Sequence, residues 1–198
     1  TVVNVGVTYS VTSISDNGFF NCPGLTSVDI PNTVTNIGIN AFRECYVLTS
    51  VNIPNTVTTI GSSAFRNCAA LTSITLPNSI TSISNTLFYG CSSLTSLVIP
   101  NSVTTIGIAA FFGCSNLSSV TIPNSVTLIG SQSFVNCSSL TSLTIPNSVT
   151  TIENQVFANC TGLTSVTVNW TTPLVINANV FQNVNTTIIP LNVPSGSE

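Results

Sequence analysis

The residues of this chain best suited to chemistry are its seven cysteines. Cys22, Cys45, Cys68, Cys91, Cys114, Cys137 and Cys160 each stand 23 residues from the next. Thiols in such a row have three uses: disulfide bonding, metal binding or plain burial. A metal site would draw on further ligands, and the sequence holds no His. Disulfides suit a secreted protein, and units stacked about 4.8 Å apart would bring Cα atoms into bonding range. The number is odd, however, and side chains repeated on stacked units run parallel rather than towards one another. Each Cys also follows a Phe by three residues, as a small buried side chain on a turn would. The spacing favours buried free thiols, with partial disulfide pairing or a metal as the alternatives.

Other reactive groups are few. Charged residues make up 4% of the 198 residues, against about 25% in an ordinary globular protein. Asp16, Asp29, Glu44 and Glu153 are scattered over different parts of the repeat, with no Lys or His beside them. General acid–base work needs two titratable groups converging on one pocket, so the reading is of a protein that is not an enzyme and carries no cofactor. Arg43 and Arg66 are the only cations against five acids, a net charge of −3. Two cations cannot neutralise a run of phosphates, which excludes nucleic acid as a partner. A mean hydropathy of +0.53 invites a membrane reading. Thr, Ser, Asn or Pro interrupts every short apolar run, far short of the roughly 18 residues a spanning helix needs.

What would position these groups is a repeat. The fragment L-T-S (L-S-S at Leu117) recurs with leucines at 25, 48, 71, 94, 117, 140 and 163, always 23 apart. The consensus is L-T-S-V-x-I-P-N-S/T-V-T-x-I-G-x-x-A-F-x-x-C-x-x, the mark of a solenoid. Val2, Val5, Val7, Val11, Ile14, Phe19 and Cys22 fall on the same columns as a degenerate first copy, and a divergent copy follows Leu163. The expectation is one solenoid over 1–198 with eight coils. Residues 1–24 form the degenerate first coil, 25–162 six regular coils, and 163–198 a divergent capping coil and tail. Within a coil, Leu97 and Ile99 point inward on a short strand, and Pro100-Asn101 turns the corner. Val103 and Ile106 enter the core, Gly107 bends, and Ala110, Phe111 and Cys114 suit one helical or 3₁₀ turn.

L-x-x-V-x-I resembles a leucine-rich repeat, except that its usual Asn/Cys position holds Thr33, Thr56, Ser79, Ser102, Ser125 and Ser148. The continuation I-P-N-S-V-T-x-I-G-x-x-A-F-x-x-C looks like the repeats of BspA-like surface proteins, the Treponema-type subclass, over residues 2–184. The tail WTTPLVINANVFQNVNTTIIPLNVPSGSE resembles the closing segment of such arrays in secreted proteins. The resemblance implies a right-handed solenoid with a parallel sheet on its concave side and short turns on the convex side. It also implies a bacterial surface or secreted setting and contact with host or cell-surface proteins or glycans. It carries over no catalytic residue and leaves the oligomeric state open.

Three surfaces follow. Outward strand positions on the concave side are Asp29, Asn52, Thr75, Val98, Thr121, Thr144 and Thr167, a weak binding candidate for want of anchors. The residue after each Phe is varied, and this column holds Phe20, Arg43, Arg66, Tyr89 and Phe112, residue types that anchor interfaces. The ladders Thr33/Thr35 to Ser148/Thr150 suggest an ice-binding solenoid as the alternative function. Five N-x-S/T sequons, at Asn116, Asn136, Asn159, Asn169 and Asn185, are expected by chance in so Asn-, Ser- and Thr-rich a chain.

Overall fold

The computed structural model describes residues 2–4, 7–170, 174–185 and 191–192. They form a parallel-strand solenoid of about seven turns, roughly 23 residues each. In the coil at 94–116, Ser96–Val98 is a strand whose middle residue is buried and whose flanks are exposed. It pairs in parallel with Ser119–Thr121, Leu97 opposite Val120. Ser27–Asp29 pairs in the same way with Ser50–Asn52, and Ser142–Ile145 with Ser165–Val168. The Val103 amide donates to the Pro100 carbonyl at 3.0 Å and closes the Asn-Ser corner.

A second parallel row runs through the T-x-I segment, which was not expected to be strand. Ser13–Ile14, Asn36–Ile37 and Thr59–Ile60 pair in order. Ser82–Ile83, Thr105–Ile106, Leu128–Ile129 and Thr151–Ile152 form a second run. Each strand is two residues long, too short for an alternation to register in the sequence. The core lies between these rows and the turns. Leu94, Leu97, Ile99, Val103, Ile106, Ala110, Phe111 and Cys114 are all buried, in one cluster that continues from Ile14 to Val184.

The expected helical or 3₁₀ turn is not formed, and the described residues contain no helix. Two columns of each coil have positive φ instead, for example Asn40 (54°) and Glu44 (64°), then Ser63 (59°) and Asn67 (60°). Only negative φ continues a right-handed helix. The amides therefore alternate. Ala41, Arg43 and Cys45 donate three residues back to Gly38, Asn40 and Phe42, whereas Asn40, Phe42 and Glu44 donate to Ser62, Ala64 and Arg66 of the next coil. The result is a chain of β-turns stitched to its neighbour. Its signal was present in the sequence, since Asn or Gly precedes every Cys except Cys45, and both types tolerate the left-handed region.

The eight expected coils are also too many. Val2–Asn4 and Val7–Tyr9 pair antiparallel, so Val2 and Val7 do not extend the parallel row. Val5, placed on the same column, lies outside the described residues. At the other end, Leu191–Asn192 pairs onto Val166 and Thr167.

Both rows are interrupted between the coils at 48–70 and 71–93, and the first row breaks again between Ser119–Thr121 and Ser142–Ile145. No strand forms at 73–75, and Thr59–Ile60 does not pair with Ser82–Ile83. The turn side stays bonded there, through Ser63 to Asn85, Phe65 to Leu87 and Asn67 to Tyr89. The coil at 71–93 is the bulky one: Ile80 stands where other coils have Val, and Leu87 where Ala41, Ala64 and Ala110 stand. Ser84 replaces a glycine. A Cβ at Gly38, Gly61, Gly107 or Gly130 would lie 2.5–2.9 Å from the backbone of the preceding coil, so the Cβ of Ser84 does not fit the approach that the glycine coils make. Glu153 also carries a Cβ in this column, yet its amide still bonds Ile129 at 3.0 Å. The Cβ therefore opens the rows only together with the bulk at Ile80 and Leu87.

Candidate interaction surfaces

The thiols are buried first and bonded second. All seven are free, and all but the half-buried Cys22 are buried. Each sits at the end of a turn, and the Sγ–H of each of the six buried thiols reaches back to a Phe carbonyl of the coil before. Cys45 donates to Phe19 at 3.1 Å, Cys68 to Phe42 at 3.1 Å and Cys114 to Phe88 at 3.2 Å. Burial pushes the Cys91 and Cys160 thiols up to about 12, and raises Cys45, Cys68, Cys114 and Cys137 for the same reason. A thiol so reluctant to ionise is a poor nucleophile and a poor metal ligand. Parallel with this row runs the phenylalanine spine from Phe19 to Phe181, rings stacked 5.0–5.8 Å apart.

On the strand side, Asp29, Asn52, Thr75, Val98, Thr121 and Thr144 are exposed and Thr167 half-buried. Asn52 donates through Nδ2 to Asp29 Oδ1 at 2.7 Å, while Val98 faces Thr121 and Thr144 faces Thr167 in register. Thr75 stands at the interrupted junction. A shallow groove of about 420 Å³ passes here, lined by Asn55, Ser73, Thr75, Asn78, Ser96 and Val98 among others. Val98 is 79% exposed and is the one large apolar side chain presented by this column. The surface is uncharged beyond Asp29 and has no aromatic anchor.

The hydroxyl ladders do not face outward as free donors. Thr33 donates to the Val11 carbonyl at 2.6 Å, Thr56 to Val34 at 2.8 Å and Ser125 to Val103 at 2.6 Å. Thr58, Thr104 and Thr127 reach the carbonyls of Thr35, Thr81 and Thr104 at 3.2–3.3 Å. Ser102 Oγ is buried without a partner. The small side chains at these positions bond coil to coil, which sequence patterning could not reveal because a hydroxyl reads as polar in either role.

The column after Phe is different in kind. Phe20, Arg43, Arg66, Tyr89 and Phe112 occupy five consecutive coils. The guanidinium of Arg43 lies 5.5 Å from the Phe20 ring centroid, that of Arg66 4.3 Å from Tyr89, and Tyr89 stacks on Phe112 at 4.6 Å with the planes 3° apart. Such contacts contribute about 0.5–1 kcal/mol each when exposed. Arg43 also pairs with Glu44 at 3.0 Å. Val135 and Ala158, next in the column, are buried and end the row. Of the candidate residues, the structure therefore brings Arg43, Arg66, Tyr89 and Phe112 onto one edge, where Phe20 joins them.

A stack of 23-residue coils, each opening on a buried Leu and a short parallel strand, defines a leucine-rich repeat array. The chain belongs to the BspA-type leucine-rich repeat family, whose pattern matches residues 12–107 and 81–197 in six copies. A leucine-rich repeat protein of T. pallidum is similar to it at 32% identity and a TM-score of 0.72, over 77% of this chain and 72% of that one. A leucine-rich repeat protein from Bacteroides ovatus shares 25% identity with a TM-score of 0.50, over 86% of this chain and 62% of that one. The pneumococcal vaccine antigen PcpA, 18% identical with a TM-score of 0.53, shares the fold over 98% of this chain and 62% of that one. No curated protein sequence matches the chain. The fold is one that typically serves as a repeat module without catalysis.

Proposed function

We propose that this chain is a non-catalytic contact module of a bacterial surface or secreted protein, part adhesin segment and part rigid spacer. The observation that supports this reading best is the Arg–aromatic row. It crosses five coils of a molecule whose remaining surface is nearly uncharged and repeats the same small polar groups. Arg and aromatic side chains are the usual anchors of protein interfaces. The partner is accordingly a protein rather than a small molecule, and the repeated coils suit weak contacts multiplied along the stack. The extracellular setting is what the BspA-type pattern implies.

The test is adhesion of the purified protein to arrays of matrix proteins, cell-surface proteins and glycans. Saturable binding to a protein spot supports a contact module. No binding to any spot reduces the chain to a spacer. Because the ladder hydroxyls donate to the protein's own carbonyls, thermal hysteresis at millimolar protein is expected to be absent.

A further inference from the structure

We infer that the row Arg43–Arg66–Tyr89–Phe112 reads carboxylates, and that its occupant is an acidic peptide segment of a partner protein. The inference rests on the contact-module reading above and gives that module its partner chemistry. The chain holds two cations against five acids, and both cations stand in one column on adjacent coils. Arg43 is already met by a carboxylate, with Nε 3.1 Å and Nη2 3.0 Å from Glu44 Oε1. Arg66 has no carboxylate partner among the described residues, and its Nε is buried with no acceptor. It is the cation to which the fold gives a ring face and no carboxylate.

The rings beside it decide what answers that charge. Tyr89 lies between Arg66 and Phe112 in the stack, with the guanidinium over the ring at 4.3 Å and the Phe112 ring parallel at 4.6 Å. Both ring faces are therefore covered. A sugar docking flat on an aromatic ring finds no open face at Tyr89. With both faces covered, what Tyr89 has left to offer a partner is its rim, beside the guanidinium of Arg66. Ring rims carry the positive part of the aromatic quadrupole, and with Nε buried the two terminal nitrogens of the guanidinium are left to meet a carboxylate in two parallel hydrogen bonds. The row is thus an electropositive edge on a net-negative molecule, with the half-buried rings of Tyr89 and Phe112 as its apolar part. An extended peptide bearing Glu or Asp satisfies both halves.

Two arginines give two Nε–Hε signals in a nitrogen-correlated NMR spectrum, so the site can be watched directly. The probes are an oligoglutamate peptide, an oligoglutamine peptide of the same length, and an oligogalacturonate. Oligoglutamate is expected to move the Arg66 signal saturably and oligoglutamine to leave it in place. Raising the salt from low to physiological strength should weaken binding roughly threefold to tenfold. Arg66→Gln should abolish the response of the Tyr89 and Phe112 ring signals. Arg66→Lys, which keeps the charge and loses the fork, should weaken it severalfold with the rest of the spectrum unchanged. No saturable movement at millimolar oligoglutamate, equal binding by Arg66→Gln, or tighter binding of oligogalacturonate would each overturn the proposal. If the segment adheres to a protein array equally well with Arg66→Gln, the peptide-reading edge fails while the contact module stands.

Discussion

Ser84 Oγ donates to the carbonyl of Ile60 at 2.5 Å. In the equivalent place the carbonyls of Ile14, Ile37, Ile83, Ile106 and Ile129 each take a backbone amide, from Gly38, Gly61, Gly107, Gly130 and Glu153 at 2.8–3.0 Å. A side chain here stands in for the backbone, at the junction where both strand rows are interrupted.

Ser84→Gly, with Ile80→Val, removes the added Cβ and the added methylene together. The row should close and the amide at position 84 should bond Ile60. Hydrogen exchange at 81–84 is expected to slow towards the rate at 104–107; unchanged exchange would assign the gap to Leu87. Conversely, Gly107→Ala places a Cβ 2.7 Å from the Asn85 nitrogen. It should cost about 1–3 kcal/mol in a urea titration yet leave 82–83 paired with 105–106, as at Glu153, because Val103 and Ala110 add no further bulk.

Alkali should unfold the protein steeply. The folded-state thiols are raised by burial, two of them to about 12, whereas an unfolded thiol ionises near 8.5. Below that value both states hold the proton and pH has no effect through these groups. Above it the unfolded chain releases protons that the fold retains, so stability falls by up to ~1.4 kcal/mol per pH unit per thiol until the folded pKa is reached. Urea midpoints at pH 7 and pH 10 should differ markedly, and less so in Cys91→Ala. In the native state at pH 8, a thiol reagent should label Cys22 first.

Phe88→Ala removes one ring from the spine and should cost ~3–5 kcal/mol. Because coils touch only their neighbours, exchange should quicken at 71–93 and the two flanking coils. A uniform rise over the whole molecule would contradict nearest-neighbour stacking.

Thr86 holds φ at 53°, a conformation that strains a β-branched residue. Thr86→Asn keeps a polar side chain and suits that backbone. A gain of about 1 kcal/mol, or ~2–4 °C in Tm, is expected by calorimetry.

The period and the core were legible because they repeat. Leu97, Ile106, Phe111 and Cys114 recur 23 residues on, and a side chain repeated in register can only be stacked. The family pattern was legible from Pro, Gly, Phe and Cys in fixed columns. Less legible was the way the turns are bonded, since a positive φ at Glu44 or Thr86 is imposed by stacking against that residue's own preference. The Arg–aromatic column was visible as composition, but its stacked geometry needed the coil spacing. The bonding of the hydroxyls was hidden for a plainer reason: the acceptors of Thr33 and Thr56 are main-chain carbonyls 22 residues earlier, which side-chain patterning does not display.

The stitched turns have a direction. From Asn17 to Asn159, every inter-coil bond of that row runs from an amide to a carbonyl of the following coil. Any such row ends in bare carbonyls on one face and bare amides on the other, so its peptide dipoles add up along the stack. A coil added to either face must arrive in the same orientation to be bonded. Two arrays meeting by a two-fold axis would oppose like with like. Lengthening by whole units, head to tail, therefore continues this row bond for bond, and repeating one phrase of 23 residues extends the array.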